Sequence, residues 1–248
     1  MVNWNKSFGW KYYEFSLGEL KDLLITTLIL GFLFSATHRY FVYTAPISVL
    51  TNFIAASIIF SFVIAGYIIG TKFFAERYNC RAEFVLWPIG AIFSIVVTML
   101  TQFVFAVVGS IQITTKHSVR LGYRFIGLTN EELGKISLGG PLINLILAVF
   151  GFVFSPLSPG FFNVFIKMNL IFALFNMVPI PQMNGSKVFG WNRMVWGSFT
   201  AVLLVLLFLP DIIGTFFSIL IGFLAVVLVF LIGRIVAPWT PPKQVHKF

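Results

Sequence analysis

The sequence has few charged residues and almost no cysteine. Only 10% of its 248 residues are Asp, Glu, Lys or Arg, whereas a soluble domain carries about a quarter. The single cysteine, Cys80, excludes an internal disulfide and a zinc site built from cysteines. The 8 acidic residues all lie at or beyond the ends of the apolar runs, so the usual carriers of a proton relay or an ion pump are missing.

Long uncharged runs dominate the sequence instead. Residues 40–71 and 84–115 each give 32 consecutive positions without a charge, and about 20 apolar residues are enough to cross a bilayer. Further uncharged runs occupy 136–166, 168–186, 194–210 and 212–233. Because no soluble fold holds several such runs, we predict an all-α, polytopic membrane protein.

Helix-start signals and prolines divide these runs into six transmembrane helices. Ser16–Glu19 and Thr129–Glu132 have the spacing of capping boxes, and proline-containing segments separate the later helices. The predicted spans are about 20–37, 45–73, 134–154, 161–178, 194–209 and 213–234, within one membrane domain, 20–236. An interfacial segment, 1–19, is expected before this domain and a cytoplasmic tail, 237–248, after it.

Segment 84–115 is apolar enough to cross the membrane but contains Pro88 and Gly90 and many Val, Ile, Phe and Thr residues. If it makes no net crossing, all 17 basic residues except Arg39 and Lys167 gather on the cytoplasmic side, as the positive-inside rule favours. We therefore predict a re-entrant or short β element here, packed among helices because lipid does not tolerate unpaired backbone. Both termini are then cytoplasmic, in a multi-pass protein of the cell membrane.

The net charge of +9 is explained by the same excess of basic residues on the cytoplasmic side. Since no basic residues alternate with aromatic ones in a stacking pattern, the sequence predicts the lipid bilayer and no nucleic acid as a partner.

Polar and prolyl residues interrupt two of the apolar runs near their inner ends. Asn144 lies a little more than one turn inside a predicted span, and an unpaired amide in hydrocarbon costs several kcal/mol, so Asn144 is expected to have a partner in the bundle. A second group follows the next span and comprises Asn176, Pro179, Pro181, Asn184 and Gly185. Taken alone, a helix-end turn and one packing asparagine explain these residues.

Four sequence elements nevertheless resemble one family. Residues 176–185 read NMVPIPQMNG and are similar to the N-x-x-P-x-P-x-x-D-G motif of the site-2 proteases, the intramembrane zinc metallopeptidases, with a continuation typical of their archaeal branch. Residues 140–144 read GPLIN and match the family's G-x-x-x-N element. Residues 75–84 and 87–90 resemble the region that follows the family's HExxH helix. The resemblance implies a site-2 protease-like fold.

The same resemblance places the metal-binding positions on side chains that do not suit them. Counting back from residue 75 puts HExxH on Tyr67–Thr71, with the ligands at Tyr67 and Thr71 and the general base at Ile68, and puts the third ligand at Asn184. The chemistry needs two imidazoles one turn apart, a carboxylate ligand and a carboxylate base. Because no His or Glu occurs in 45–75, a small shift of the alignment does not restore them. We predict no catalytic residues and no metal, although zinc is the cofactor of the family.

The predicted function is therefore that of a zinc-free pseudoprotease that binds or regulates transmembrane-helix clients. The resemblance implies that strands near the site hold substrate helices extended. The predicted client-binding pocket consists of Asn144, Asn176, Pro179, Pro181 and Gly185. Two alternatives stay open: an active intramembrane metalloprotease with an atypical metal site that includes His38 or His117, and a small transporter on the same scaffold. The first requires a bound metal and the second a polar path through the bilayer.

Overall fold

The computed structural model describes residues 15–37, 46–78, 80–115 and 128–208, together with position 224. Within these residues the elements are α1 (Leu17–Ala36), α2 (Pro46–Arg77), β1 (Cys80–Leu86), α3 (Pro88–Thr101), β2 (Gly109–Thr115), α4 (Asn130–Phe154), α5 (Pro159–Asn176), α6 (Asn184–Trp191) and α7 (Arg193–Phe208). Outside the described residues lie the predicted span 213–234 apart from position 224, the tail, most of the interfacial segment, and His38, His117 and His246.

The helices confirm the prediction of a mostly helical membrane protein. Among the described residues, three helical stretches are long and apolar enough to cross a bilayer, namely Val49–Arg77, Asn130–Phe154 and Pro159–Asn176. The apolar helices α3 and α7 are shorter, and α1 has 20 residues with acidic and basic side chains in its first two turns. That six helices cross the membrane stays a prediction.

The two predicted capping boxes form to different extents. Ser16 Oγ accepts from the N–H of Glu19 at 3.1 Å and caps α1, but the Glu19 carboxylate bonds to other elements, so only half of the capping box forms. At α4 the box is complete. There Thr129 Oγ1 accepts from the N–H of Glu132, and the Glu132 carboxylate accepts from the N–H of Thr129 at 2.9 Å.

The buried core lies where α2 contacts α1, α4 and α5. Phe60 of α2 makes edge-to-face contacts with Phe34 of α1 and Phe172 of α5, with ring centroids 4.9 Å and 6.5 Å apart. Glycines let α2 and α4 approach closely, because a Cβ atom on Gly70 would lie 2.6 Å from the carbonyl oxygen of Gly139. Small residues at such crossings are typical of helices that pack within membranes.

The predicted segment 84–115 lies within a strand–helix–strand unit, residues 80–115, that returns to its starting end. β1 and β2 pair antiparallel, with Cys80 opposite Thr115 and Leu86 opposite Gly109. Hydroxyl groups of α3 hold the returning chain, since Thr98 Oγ1 accepts from the N–H of Phe105 at 2.9 Å. The sequence predicts a re-entrant or strand-bearing element, and this unit contains both a helix and strands. Its position relative to a bilayer stays a prediction.

Candidate functional site

Three of the predicted site residues meet at one point of the structure. The Tyr67 hydroxyl accepts from Asn184 Nδ2 at 2.8 Å and donates to Asn176 Oδ1 at 2.8 Å. All three side chains are at most 1% exposed. This group, which we name the Tyr67 cluster, joins α2, α5 and α6.

Two backbone carbonyls accept further hydrogen bonds from the Tyr67 cluster. Asn176 Nδ2 donates to the carbonyl oxygen of Phe172 at 2.9 Å, and Asn184 Nδ2 also donates to that of Ser137 at 2.9 Å. The Phe172 ring lies edge-on to the Tyr67 ring, with centroids 5.2 Å apart. Ser137 brings α4 into the cluster. Sequence reasoning missed Ser137 and Phe172 because backbone carbonyls leave no signal in a motif.

The other two positions matched to HExxH are also buried, but they contribute little polar chemistry. Thr71 Oγ1 donates to the carbonyl oxygen of Tyr67 one turn earlier, at 3.0 Å. Ile68 is fully buried and has no side-chain donor or acceptor. Gly140 of α4 packs on both Tyr67 and Thr71, because a Cβ atom there would lie 2.6 Å from Thr71 Oγ1. The α2 helix therefore presents one phenol and one internally bonded hydroxyl to the site.

This set of side chains does not fit a zinc ion. Zinc in proteins is held by thiolates, imidazoles and carboxylates. Here the Tyr67 hydroxyl donates its proton to Asn176, and Asn184 directs its NH₂ group, which is no ligand, at Tyr67. Among the described residues no three His, Cys, Asp or Glu side chains lie close enough together to hold a metal ion.

The prolyl motif forms a tight turn between α5 and α6. Pro179 and Pro181 are exposed, whereas Gly185 is buried. A Cβ atom on Gly185 would collide with the backbone carbonyl of Met177, and Trp196 Nε1 donates to the same carbonyl oxygen at 2.7 Å. The glycine is therefore required sterically, since it lets α6 start against the end of α5.

Asn144 is fully buried but is not part of the Tyr67 cluster. Neither its Oδ1 nor its Nδ2 has a hydrogen-bond partner among the described residues. It faces α2, where a Cβ atom on Gly66 would lie 3.9 Å from Asn144 Oδ1. The sequence predicts a partner within the bundle, and in the described part of the chain this expectation is wrong. The neighbouring Ser137 Oγ and Asn184 Oδ1 are likewise unpaired there.

The outer edge of β1 is closed by carboxylates of α1. Glu19 Oε1 accepts from the N–H of Phe84 at 3.0 Å, and Asp22 Oδ2 accepts from the N–H of Leu86 at 3.0 Å. Glu19 Oε2 also pairs with Lys72 Nζ at 2.7 Å, and both side chains are 1% exposed. The charge pattern predicts Lys72 on the cytoplasmic flank of a span, and that side of the membrane stays a prediction; within the protein Lys72 is buried against Glu19.

The outer edge of β2 carries a lysine from α6. Lys187, one turn after Asn184, donates from Nζ to the carbonyl oxygen of Ile111 at 2.9 Å. Burial lowers the pKa of Lys187, because the ammonium loses hydration without gaining a carboxylate partner among the described residues. The sequence gives no sign of this contact, which joins positions 76 residues apart.

An apolar cavity of about 300 Å³ lies beside the prolyl turn. One wall is the extended chain that leads into β2, another is the start of α3, and a third is the end of α5 with the prolyl turn. The lining residues are Trp87, Ile89, Phe93, Phe105, Val107, Phe175, Val178 and Ile180. The cavity therefore lies between the segment that precedes β2 and the turn that precedes α6.

Apolar helices and a small two-stranded sheet make this a mostly helical membrane protein. The chain is 30% identical over 199 residues to "Putative zinc metalloprotease MJ0611" of Methanocaldococcus jannaschii, an alignment that covers 74% of this chain and 90% of that protein. It is also 34% identical over 68 residues to "Putative zinc metalloprotease YwhC" of Bacillus subtilis, covering 21% of this chain and 31% of that protein. Neither a family model nor a solved structure matches it. The chain belongs to the site-2 protease-like family of zinc metalloproteases.

Proposed function

We propose that this chain is a zinc-free pseudoprotease that binds transmembrane-helix clients. The observation that carries the proposal is the 2.8 Å hydrogen bond between Tyr67 and Asn184. These residues occupy two positions that the family's motifs assign to zinc ligands, and here they bond directly to each other. The contact also supports the motif alignment, because it brings together side chains 117 positions apart in the sequence.

A zinc ion at this point would meet unfavourable chemistry. It would have to break the buried bonds of Tyr67 to Asn176 and Asn184, and a buried polar group left unpaired costs about 1–3 kcal/mol. In return it would gain neutral amide and hydroxyl oxygens, which suit zinc poorly. Hydrolysis also needs a general base, and Ile68, at the matching position, cannot accept a proton.

The parts that would contact a client are retained. Gly185, Pro179 and Pro181 shape the turn beside the apolar cavity, and Asn176 holds Tyr67 in place. Asn144 offers an unused donor and an unused acceptor in the apolar interior. A client helix that unwinds locally exposes backbone N–H and C=O groups, which need partners when lipid surrounds them. Because Asn144 is fully buried against α2, its unpaired amide can meet this need only when α2 and α4 move apart.

The experiment combines binding and cleavage in one sample. A fluorescent Leu/Ala transmembrane peptide with a central Asn-Gly pair is mixed with the purified protein in detergent micelles. We expect the peptide to bind and to stay intact by mass spectrometry, and we expect neither zinc nor a chelator to change either result. Cleavage that a chelator abolishes would contradict the proposal and would favour an atypical metal site.

A reconstructed variant supplies the positive control. The fourfold change Tyr67→His, Ile68→Glu, Thr71→His and Asn184→Asp restores the ligand types and the base that the family motif requires. We expect this variant to bind zinc. That result would show that a zinc site in this scaffold is detected when it is present.

A further inference from the structure

The apolar cavity beside the prolyl turn is lined by hydrocarbon. Its volume is about 300 Å³, and aromatic rings and branched aliphatic side chains form its lining. Phe105 contacts the rings of Phe93 and Phe175, with centroids 6.1 Å and 4.9 Å away. Such a cavity suits a hydrocarbon ligand, because a polar ligand would lose its hydration without gaining hydrogen bonds.

The backbone donors of the two non-helical walls are already used. In the chain that leads into β2, the N–H groups of Phe105 and Val107 donate to hydroxyls of α3, at 2.9 Å and 3.1 Å. In the prolyl turn, the N–H groups of Val178 and Ile180 donate to backbone carbonyls at the end of α5 and within the turn, at 3.2 Å and 2.8 Å. A peptide lying in the cavity would leave its own carbonyls unpaired, which is costly in an apolar site. A hydrocarbon chain has no such groups.

The cavity opens onto an exposed apolar face of α3. Ile89, Phe93, Val96 and Leu100 recur at helical spacing and therefore share one face, and each is between 51% and 79% exposed. We name this row the α3 stripe. Its first two residues also line the cavity, and at 1.5 Å per residue the stripe is about 16 Å long. The stripe therefore continues the apolar lining of the cavity.

One wall of the cavity is part of a helix that is long and apolar enough to cross a bilayer. Phe175 is the second-last residue of that helix, Pro159–Asn176. Trp87, on the opposite wall, is of the residue type that favours the boundary between hydrocarbon and headgroups. These two residues place the cavity near the end of a membrane-crossing helix, where acyl chains join their headgroups.

We propose that the cavity binds one acyl chain of a membrane phospholipid. At about 30 Å³ per methylene group, close to the volume of a water molecule, it holds about ten of them. The part of the chain next to the headgroup lies in the cavity, and the rest follows the α3 stripe. The bound chain packs against the prolyl turn at Val178 and Ile180. This inference does not depend on the proposed client-binding function.

Quenching by a brominated lipid tests the site, because bromine quenches tryptophan fluorescence only at short range and Trp87 lines the cavity. The purified full chain, in micelles of a detergent that does not quench, is titrated with phosphatidylcholine brominated on the headgroup half of one acyl chain. We expect quenching that saturates at a single lipid per chain and that ordinary phosphatidylcholine reverses. Trp87→Phe should remove this saturable part, although the chain has 6 tryptophans.

Variants with a filled cavity show where the lipid binds. Val107→Phe and Val178→Phe each place a ring in the cavity, from opposite walls. Each should lower lipid affinity about tenfold, because displacement of about two methylene groups is enough. Val153→Phe makes the same change on α4, where Val153 is 55% exposed, and should bind like the unmodified protein. Thermal unfolding shows whether each variant is folded, and the unmodified protein and Trp87→Phe test the site without them.

Four results would overturn the proposal. Quenching that rises with lipid concentration without saturating would mean that only boundary lipid contacts the protein. Saturable quenching that persists in Trp87→Phe, or equal affinities of the filled variants and Val153→Phe, would place the lipid elsewhere. Reversal by an unlabelled Leu/Ala peptide and not by ordinary phosphatidylcholine would mean that a client side chain occupies the cavity.

Discussion

At the scale of single residues, the site is a hydrogen-bonded set of neutral side chains in which every member depends on the Tyr67 hydroxyl. The hydroxyl uses its one proton for Asn176 and accepts one from Asn184. A metal site would instead need ligands that lose protons or carry charge. The Tyr67 cluster therefore holds α2, α5 and α6 together by hydrogen bonds, in the place where the family's motifs put an ion.

Removal of the hydroxyl should weaken the fold. Tyr67→Phe leaves Asn176 Oδ1 buried without its donor, so the free energy of unfolding should fall by about 1–3 kcal/mol. Denaturant unfolding in micelles measures this. Tyr78→Phe, just beyond the end of α2 and outside the cluster, should change it by less than ~0.5 kcal/mol. Equal effects of the two substitutions would contradict the structural role of the cluster.

Asn144 should show opposite effects on stability and binding. Asn144→Leu removes an amide that is buried without partners in the described structure, so it should raise the free energy of unfolding by about 1 kcal/mol. It should also weaken binding of the Leu/Ala peptide, because a client donor or acceptor loses its partner. Loss of stability on this change would mean that Asn144 has a structural partner and would count against its role in the pocket.

At the scale of secondary-structure elements, local signals predicted helix starts well and long-range contacts not at all. Ser16 and Thr129 each cap a helix as their spacing predicts. The carboxylate of Glu19 was expected to complete the first capping box, but it bonds to α2 and β1 instead. A partner 53 positions away outweighs a local one, and no pattern within one helix could reveal it.

The junction of α5 and α6 offers a matched pair of glycines. Gly185→Ala places a Cβ atom against the Met177 carbonyl, so it should destabilise the protein by about 1–3 kcal/mol. Gly190→Ala lies in the same short helix and meets nothing within 4 Å, so it should be neutral or stabilise by up to ~1 kcal/mol. Thermal unfolding compares the two, and a neutral Gly185→Ala would show that the turn is not tightly constrained.

At the scale of the whole molecule, charge distribution predicted that segment 84–115 returns to its starting end. The antiparallel pairing of Cys80 with Thr115 agrees with that prediction. The sequence alone did not predict that Tyr67, Asn176 and Asn184 lie together, although the family motif indicated which positions to compare. Two of the bonds around Tyr67 join residues more than 100 positions apart, and such contacts follow from packing of the helices rather than from periodicity.

Membrane topology can be tested by labelling single cysteines. Burial raises the pKa of the Cys80 thiol to about 11, so it reacts slowly at neutral pH, and Cys80→Ala removes it from the experiment. Gln112→Cys in β2 should react from the cytoplasmic side with a membrane-impermeant maleimide. Gly160→Cys, at the exposed start of α5, should react from the opposite side. Labelling of both from one side would contradict the predicted topology.

The zinc content of the purified, unmodified protein tests the central claim most directly. Elemental analysis, after purification without chelator in zinc-containing medium, should find far less than one zinc per chain. The fourfold variant with Tyr67→His, Ile68→Glu, Thr71→His and Asn184→Asp should carry about one under the same conditions. One tightly bound zinc per chain in the unmodified protein would contradict the account, above all if the zinc disappears when Tyr67 and Asn184 are substituted.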